Sequence, residues 1–308
     1  MRSSVYLIRE GKRIINSLLW RKSYPELTFY NIDIEKTLDF LHKETYKKGG
    51  FTYNKKTHKR ISAILPVHMY GNAVDIKPIK NICKDMNIKI IEDASESLGT
   101  FYRNSYLKGK HTGCIGDIGC ISFNGNKIIT SGGGGMILTN KKKVAEKAKY
   151  LSTQAKDDPV RYIHNDIGYN FRITNIQAAV GLAQMEQLKT FLDIKRNNYK
   201  FYKNAIMEID GLEVSEVPQY SINNHWMVLL KIDDKIYKRD REELMSLFSS
   251  NGIQTRPAWA PIHLQKPYSN YQNYKITLAN ELVDKSLCIP ASTNINLDNM
   301  NEVVNVLK

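Results

Sequence analysis

Three side chains in the middle of this chain have the types that carbonyl chemistry requires: Asp93, Ser122 and Lys127. Lys127 stands just beyond the apolar segment Ile118 to Ser122 and just before the glycine run Gly132 to Gly135. A lysine on a rigid turn at the end of a buried strand is partly desolvated. Desolvation lowers its pKa and makes the amine a nucleophile toward a carbonyl. Asp93 follows a second apolar run, Ile88 to Ile91, and with Glu92 it lies at the carboxyl edge of a sheet, where open α/β folds bind ligands. An amine to hold an aldehyde, a carboxylate to keep a ring nitrogen protonated and a hydroxyl to donate to a phosphate match the needs of pyridoxal phosphate. Taken singly each has a plainer reading: a lysine is usually a solvated charge, and Asp93 reads equally well as a helix N-cap.

The elements that position these residues alternate between strand and helix. Ile61 to Val67 is rich in β-formers, residues 76 to 87 carry apolar positions at helical spacing, and Ile88 to Ile91 returns to strand. This is a βαβ unit, and a parallel sheet follows from it. Further strands are expected at 118–123 and 135–139, and helices at 34–44 and 142–152. A long helical stretch from Thr174 runs through Leu182 and Leu188 toward Tyr199. Beyond it, strands at 226–232 and 253–256 and helices at 240–250, 277–287 and 297–307 predict a small α+β layer. The expected organisation is an unassigned segment 1–30, a large cofactor-binding domain 31–190 and a small C-terminal domain 191–308.

The length of 308 residues exceeds a usual single core, and 42% hydrophobic with 25% charged residues fits a globular protein. No apolar run reaches the length of a membrane span and the first residues lack a signal-peptide core, so a cytoplasmic location without a membrane partner is expected. Cys83, Cys114, Cys120 and Cys288 are scattered without metal-ligand spacing, which points away from a zinc site and from a disulfide framework. A net charge of +14 raises the question of nucleic acid. The lysines are spread along the chain without a one-sided basic stripe, so no nucleic-acid partner is expected; attraction of a phosphate-bearing substrate is the secondary explanation. The four-glycine run lacks the Gly-Lys-Ser/Thr ending of a P-loop and reads as a tight backbone crossing.

Ile91 to Gly99, Gly116 to Lys127 with Gly132 to Gly135, and Gly168 to Ala179 resemble, in order and spacing, the three central motifs of the DegT/DnrJ/StrS sugar aminotransferases. The resemblance covers roughly residues 31 to 308. It implies the large domain of a fold-type-I enzyme, an α/β structure with a mostly parallel sheet flanked by helices, followed by a smaller α+β domain. It implies pyridoxal phosphate linked to Lys127, Asp93 paired with its ring nitrogen, Glu96 near the ring hydroxyl at a position often Gln in the family, and Ser122 on the phosphate. Asn170 resembles a residue that reaches a phosphate across a homodimer interface, and Arg172 would support that loop. Arg256 and His263 match a segment near the substrate, although Arg256 reads equally well as a surface residue packed on Trp259. Relatives that dehydrate sugars carry His where Lys127 stands, which favours transamination.

The activity so implied moves an amino group, with L-glutamate as the usual donor, to a nucleotide-linked 4-keto-6-deoxy sugar for surface-glycan or nonulosonic-acid biosynthesis. Ser152 to Pro159 and Gln254 to His263 look most like the branch acting on 4-keto-6-deoxy N-acetylhexosamine nucleotides. The family also carries a Gly-Thr-Ala segment that holds the cofactor phosphate and an aromatic residue that stacks on the ring. Neither is visible in this sequence, so the chain is expected to be an N-terminally truncated member. The alternative is a weak or inactive member that only binds a partner or ligand.

Overall fold

The computed structural model describes residues 29–308. The expectation for segment 1–30 therefore lies almost wholly outside the described residues. Helix α1 (Ile34–Lys43) opens at Asp33, whose side chain accepts from the Lys36 N–H at 3.0 Å. An N-cap oxygen, Glu35 in the first turn and Lys43 in the last suit the helix dipole. A hairpin follows, β1 (Thr45–Lys48) and β2 (Phe51–Asn54), turning on Gly49 and Gly50 at φ of 56° and 74°. Two left-handed residues in succession are what a tight hairpin turn demands, and glycine adopts them without steric cost.

The expected βαβ unit is present. Strand β3 (Ala63–Ile64) lies parallel to β4 (Lys89–Asp93) across helix α2 (Ile76–Asp85), which buries Ile76, Ile79, Ile82 and Cys83. After β5 (Phe101–Tyr102), β6 (Ile118–Ser122) adds in parallel to β4, and β7 (Gly135–Leu138) turns back antiparallel beside it. The sheet order is β3-β4-β6-β7. Helix α3 (Lys142–Ser152) has the bounds that its periodicity predicted.

The long helical stretch is two helices. Helix α4 (Asn175–Glu186) begins in a capping box in which Thr174 and Gln177 exchange hydrogen bonds, and α5 (Leu188–Ile206) starts anew after Gln187. Then come β8 (Leu212–Val214), β9 (Ser221–Ile222), β10 (Val228–Ile232), α6 (Asp234–Tyr237), α7 (Arg241–Ser250), β11 (Arg256–Pro257), α8 (Ala279–Asp284), β12 (Ser286–Ile289) and α9 (Leu297–Leu307). Strands β11-β12-β10-β8 form an antiparallel sheet. One expectation is corrected here: the helix predicted over 277–287 covers only α8, and Ser286 to Ile289 is a strand with all four residues buried. A strand buried on both faces shows no period-two alternation, so its pattern merges with a neighbouring helix.

Three cores result. Helices α1 and α2 pack on the parallel sheet through Phe40, Ile79 and Ile90, and α5, α7 and α9 pack on the antiparallel sheet through Tyr202, Phe248, Leu230 and Val303. The third joins the two halves, with Tyr70, Ile121, Phe123 and Ile128 against Trp226, Leu229 and Cys288. Helix α4, by contrast, has no buried residue: Ile176 and Leu182 are 80% and 63% exposed, and Met136 and Ile137 of β7 are exposed as well.

Candidate functional site

Parallel pairing of β4 with β6 sets Asp93 opposite Cys120, so the strands deliver Asp93 and Ser122 to the same sheet edge. Past Ser122 the backbone closes a short loop, with Ser131 N–H bonded to the Phe123 carbonyl at 3.1 Å and Lys127 N–H to the Asn124 carbonyl at 3.0 Å. Phe123, Ile128 and Ile129 are buried beneath it, which makes the turn carrying Lys127 rigid. The glycine run is the backbone crossing expected of it. Gly135 pairs with Ser122, and a Cβ there would lie 2.4 Å from the Ile121 carbonyl oxygen.

Lys127 points inward, with its side chain 13% exposed. Its Nζ lies 4.0 Å from Glu96 Oε1 and 3.9 Å from the centroid of the Trp226 ring. Burial lowers its pKa below the ordinary lysine value, against the opposing pull of Glu96 and Asp93. Glu96 is held from two sides: Oε2 accepts from the Tyr70 backbone N–H at 2.7 Å, and Oε1 from the Trp259 indole N–H at 3.3 Å. Burial raises its pKa to about 7; Asp93 adds to the rise, while Lys127 and the N–H donors resist it. Asp93 Oδ1 accepts from the Ser95 N–H at 3.0 Å and from the Ser95 hydroxyl, a local turn in place of the helix N-cap. The charge of Asp93 acts on both Lys127 and Glu96, so the three ionisable groups share one site.

A buried acid with a raised pKa has a measurable signature. The folded value of about 7 exceeds the ordinary 4.5, so the contribution of Glu96 to stability is fully present below about pH 4.5 and is lost as pH rises through about 7. Glu96→Gln removes this dependence. Across that window the variant should gain about 3 kcal/mol relative to the parent, at about 1.4 kcal/mol per pKa unit. Urea unfolding of both proteins at about pH 5 and pH 8 measures it, and a stability difference that stays constant with pH excludes it.

The neighbouring carboxylate has a different task. Successive strand residues face opposite sides, and Glu92 turns away from the site into full burial. It accepts from the backbone N–H groups of Gly113, Ile115 and Gly116 at 2.9, 2.6 and 2.6 Å and from His68 Nε2 at 3.0 Å. His68 Nδ1 accepts from the Val74 N–H, so the ring is the neutral tautomer with its proton on Nε2. Glu92 thus ties β4 to the loop leading into β6.

Ser122 Oγ accepts from the Asn124 N–H at 3.3 Å, and its own O–H proton is not engaged by any hydrogen bond among the described residues. Other expected residues lie outside the cluster. Asn170 forms an isolated bridge with Thr153 on an exposed segment, next to exposed Arg172. Arg256 is exposed in β11, with Nη1 donating to the Thr255 carbonyl at 3.3 Å, and His263 is half-buried on a short turn, where burial lowers its pKa. Sequence reasoning did not assign Tyr70, Trp226 or Trp259 to the site. No local pattern in the sequence marks them; the structure singles out Tyr70, in His68-Met-Tyr-Gly71, by its φ of 54°, and a bulky residue held there points to a constrained site.

The donor set fits pyridoxal phosphate. A buried amine whose pKa burial lowers stands with two carboxylates, and a hydroxyl with an uncommitted proton stands at the same strand edge. Residues 43–308 match the profile of the DegT/DnrJ/EryC1/StrS aminotransferase family. The chain is 35% identical over 251 residues to a Bacillus subtilis relative, EpsN, and 35% identical over 249 residues to the GDP-perosamine synthase of Escherichia coli O157:H7; each alignment covers 80% of this chain. It spans 62% and 65% of those two proteins, just under two thirds of their length. Among solved structures, a DegT DnrJ EryC1 StrS aminotransferase from Brucella abortus superposes with a TM-score of 0.78 at 22% identity, covering 91% of this chain and 70% of that one. At that identity the likeness shows the fold.

Proposed function

The chain belongs to the DegT/DnrJ/EryC1/StrS aminotransferase family, and on that premise we propose that it transfers an amino group, with pyridoxal phosphate as cofactor, to a nucleotide-linked 4-keto-6-deoxy sugar. The observation that carries this reading is the enclosed set of Lys127, Glu96 and Asp93 at the end of adjacent parallel strands. When bound, the cofactor supplies an aldehyde and an electron-withdrawing ring that stabilises negative charge beside the reacting carbon. Lys127 is the amine placed to bond the aldehyde, because burial raises the fraction that is neutral and nucleophilic. Once released, the same amine holds and passes the proton that must move when nitrogen changes carrier. Asp93 presents an anion that keeps the ring nitrogen protonated, and Ser122 donates its hydroxyl to the phosphate.

Glu96, half-protonated near neutral pH, stands beside Lys127 as a second proton holder. Arg256 and His263 are assigned to the sugar nucleotide, with L-glutamate as donor. The GDP-perosamine synthases among the relatives support a sugar nucleotide as acceptor. The resemblance of Ser152 to Pro159 and Gln254 to His263 to the N-acetylhexosamine branch supports a 4-keto-6-deoxy N-acetylhexosamine nucleotide as the acceptor. The active unit is read as a pair of chains: α4 has no buried residue and leaves Ile176, Val180, Leu182 and Met185 exposed, more apolar surface than isolated surface residues need, and Asn170 lies on the segment leading into it.

The test uses the purified chain. Adding pyridoxal phosphate should produce a visible absorbance band that survives gel filtration, and light scattering of the same preparation should give twice the chain mass. UDP-, GDP- and TDP-linked 4-keto-6-deoxy sugars are then supplied with L-glutamate. One of them should gain an amine by mass spectrometry as 2-oxoglutarate appears. Absence of the band rejects the cofactor assignment, and a band without amine transfer rejects the substrate class.

A further inference from the structure

Lys127 is gripped from the far half of the molecule. Trp226, just before β10, is buried; its ring lies 3.9 Å from Lys127 Nζ, and its indole N–H donates to the Asn126 carbonyl at 2.7 Å. One indole therefore holds both the backbone beside Lys127 and the amine at the end of its side chain. The indole is itself anchored. The Trp226 N–H donates to Asn224 Oδ1 at 3.0 Å, and Asn224 Nδ2 donates to the carbonyls of Glu96 and Leu98, each at 2.9 Å.

We propose that Trp226 is a positioning residue for Lys127: its ring face holds the amine in one orientation toward Glu96 and Asp93 and favours the ammonium form until the cofactor arrives. The proposal rests on the reading of Lys127 as the cofactor-linked amine. Two opposing effects meet at this ring. Its negative face attracts a cation, most strongly where water is excluded, while its bulk removes water that would solvate the ammonium. Leu, Met and Phe are of similar bulk and only Phe presents a ring face, so the comparison among them isolates the face. The charged groups facing Lys127 are Glu96 and Asp93; Cys288 and Tyr70 face Glu96, and His225 turns away to stack on Tyr199 at 4.2 Å.

Competitive labelling of the cofactor-free protein reads the Lys127 amine directly. Trace acetic anhydride reacts only with the neutral amine, and mass spectrometry of the Lys127 peptide across a pH series gives the midpoint. Trp226→Leu and Trp226→Met should each lower that midpoint by about half to one and a half pH units, as expected for loss of a cation–ring attraction in a dry site. Trp226→Phe should restore most of the shift. Midpoints equal to the parent in the Leu and Met variants overturn the proposal, as does a Phe variant displaced as far as Leu. Should the Leu variant fail to fold, by circular dichroism, the Met and Phe variants decide between the same outcomes. Titrating the same proteins with pyridoxal phosphate separates the two readings. If the Leu and Met variants show the labelling shift but the parent captures no cofactor, the cofactor assignment falls and the Trp226 contact stands; capture by the parent without any shift in the variants does the reverse.

Discussion

Lys127→Ala is expected to abolish the visible band formed with pyridoxal phosphate and to lower amine transfer by at least about 10⁴-fold, the upper range for a group that moves protons in the reacting step. The loss combines two functions in one nitrogen, the bond to the aldehyde and the later proton transfer, so no neighbour replaces it. Lys127→Arg should fail as completely. A guanidinium keeps the charge beside Glu96 yet never becomes a neutral nucleophile. Thermal unfolding should move little in the Ala variant near neutral pH, because Glu96, whose pKa burial raises to about 7 against the pull of Lys127, then stays protonated and leaves no unpaired buried charge. A band persisting in either variant would sink the assignment of Lys127.

The second large effect concerns stability. Glu92→Ala leaves the backbone N–H groups of Gly113, Ile115 and Gly116 and the Nε2 proton of His68 without their acceptor in a fully buried place. Losing one member of such a set costs about 3–5 kcal/mol, a large share of the stability of an ordinary domain. The pH dependence has a definite sign. Burial alone raises the Glu92 pKa, but the His68 hydrogen bond and the backbone donors outweigh it and hold the folded value below the ordinary 4.5. A depressed carboxylate contributes stability that is present above its ordinary pKa and lost as pH falls through the folded value. Glu92→Ala should therefore differ most from the parent at neutral pH and converge on it in acid. Urea midpoints with unchanged slope measure both effects, and a neutral-pH loss under about 1 kcal/mol contradicts the role given to Glu92.

Glu92 and Asp93 mark where local reading stops. Both were visible as acids after a buried strand, and only the pleat separates the one facing the site from the one that clamps a loop. Helices α3 and α9 were legible to the residue because their amphipathic repeat begins and ends cleanly. The hairpin β1–β2 was missed, although Gly49-Gly50 between short β-forming runs is a hairpin signal. The break at Gln187 was hidden because the apolar pattern continues through it from α4 into α5.

By itself the sequence determined the chemistry on offer: an amine, a carboxylate and a hydroxyl at the ends of consecutive strands, and a spacing that belongs to one enzyme family. Those features are local, fixed by residue type and by strand and turn signals a few positions apart. Only the tertiary structure decided what surrounds the amine. Trp226 reaches the Lys127 turn from about 100 residues away, and Trp259 reaches Glu96 from 163. Such contacts arise when the third core brings the two sheets together. No periodicity along the chain encodes that packing, and the same burial moves the pKa values of Lys127 and Glu96 toward each other.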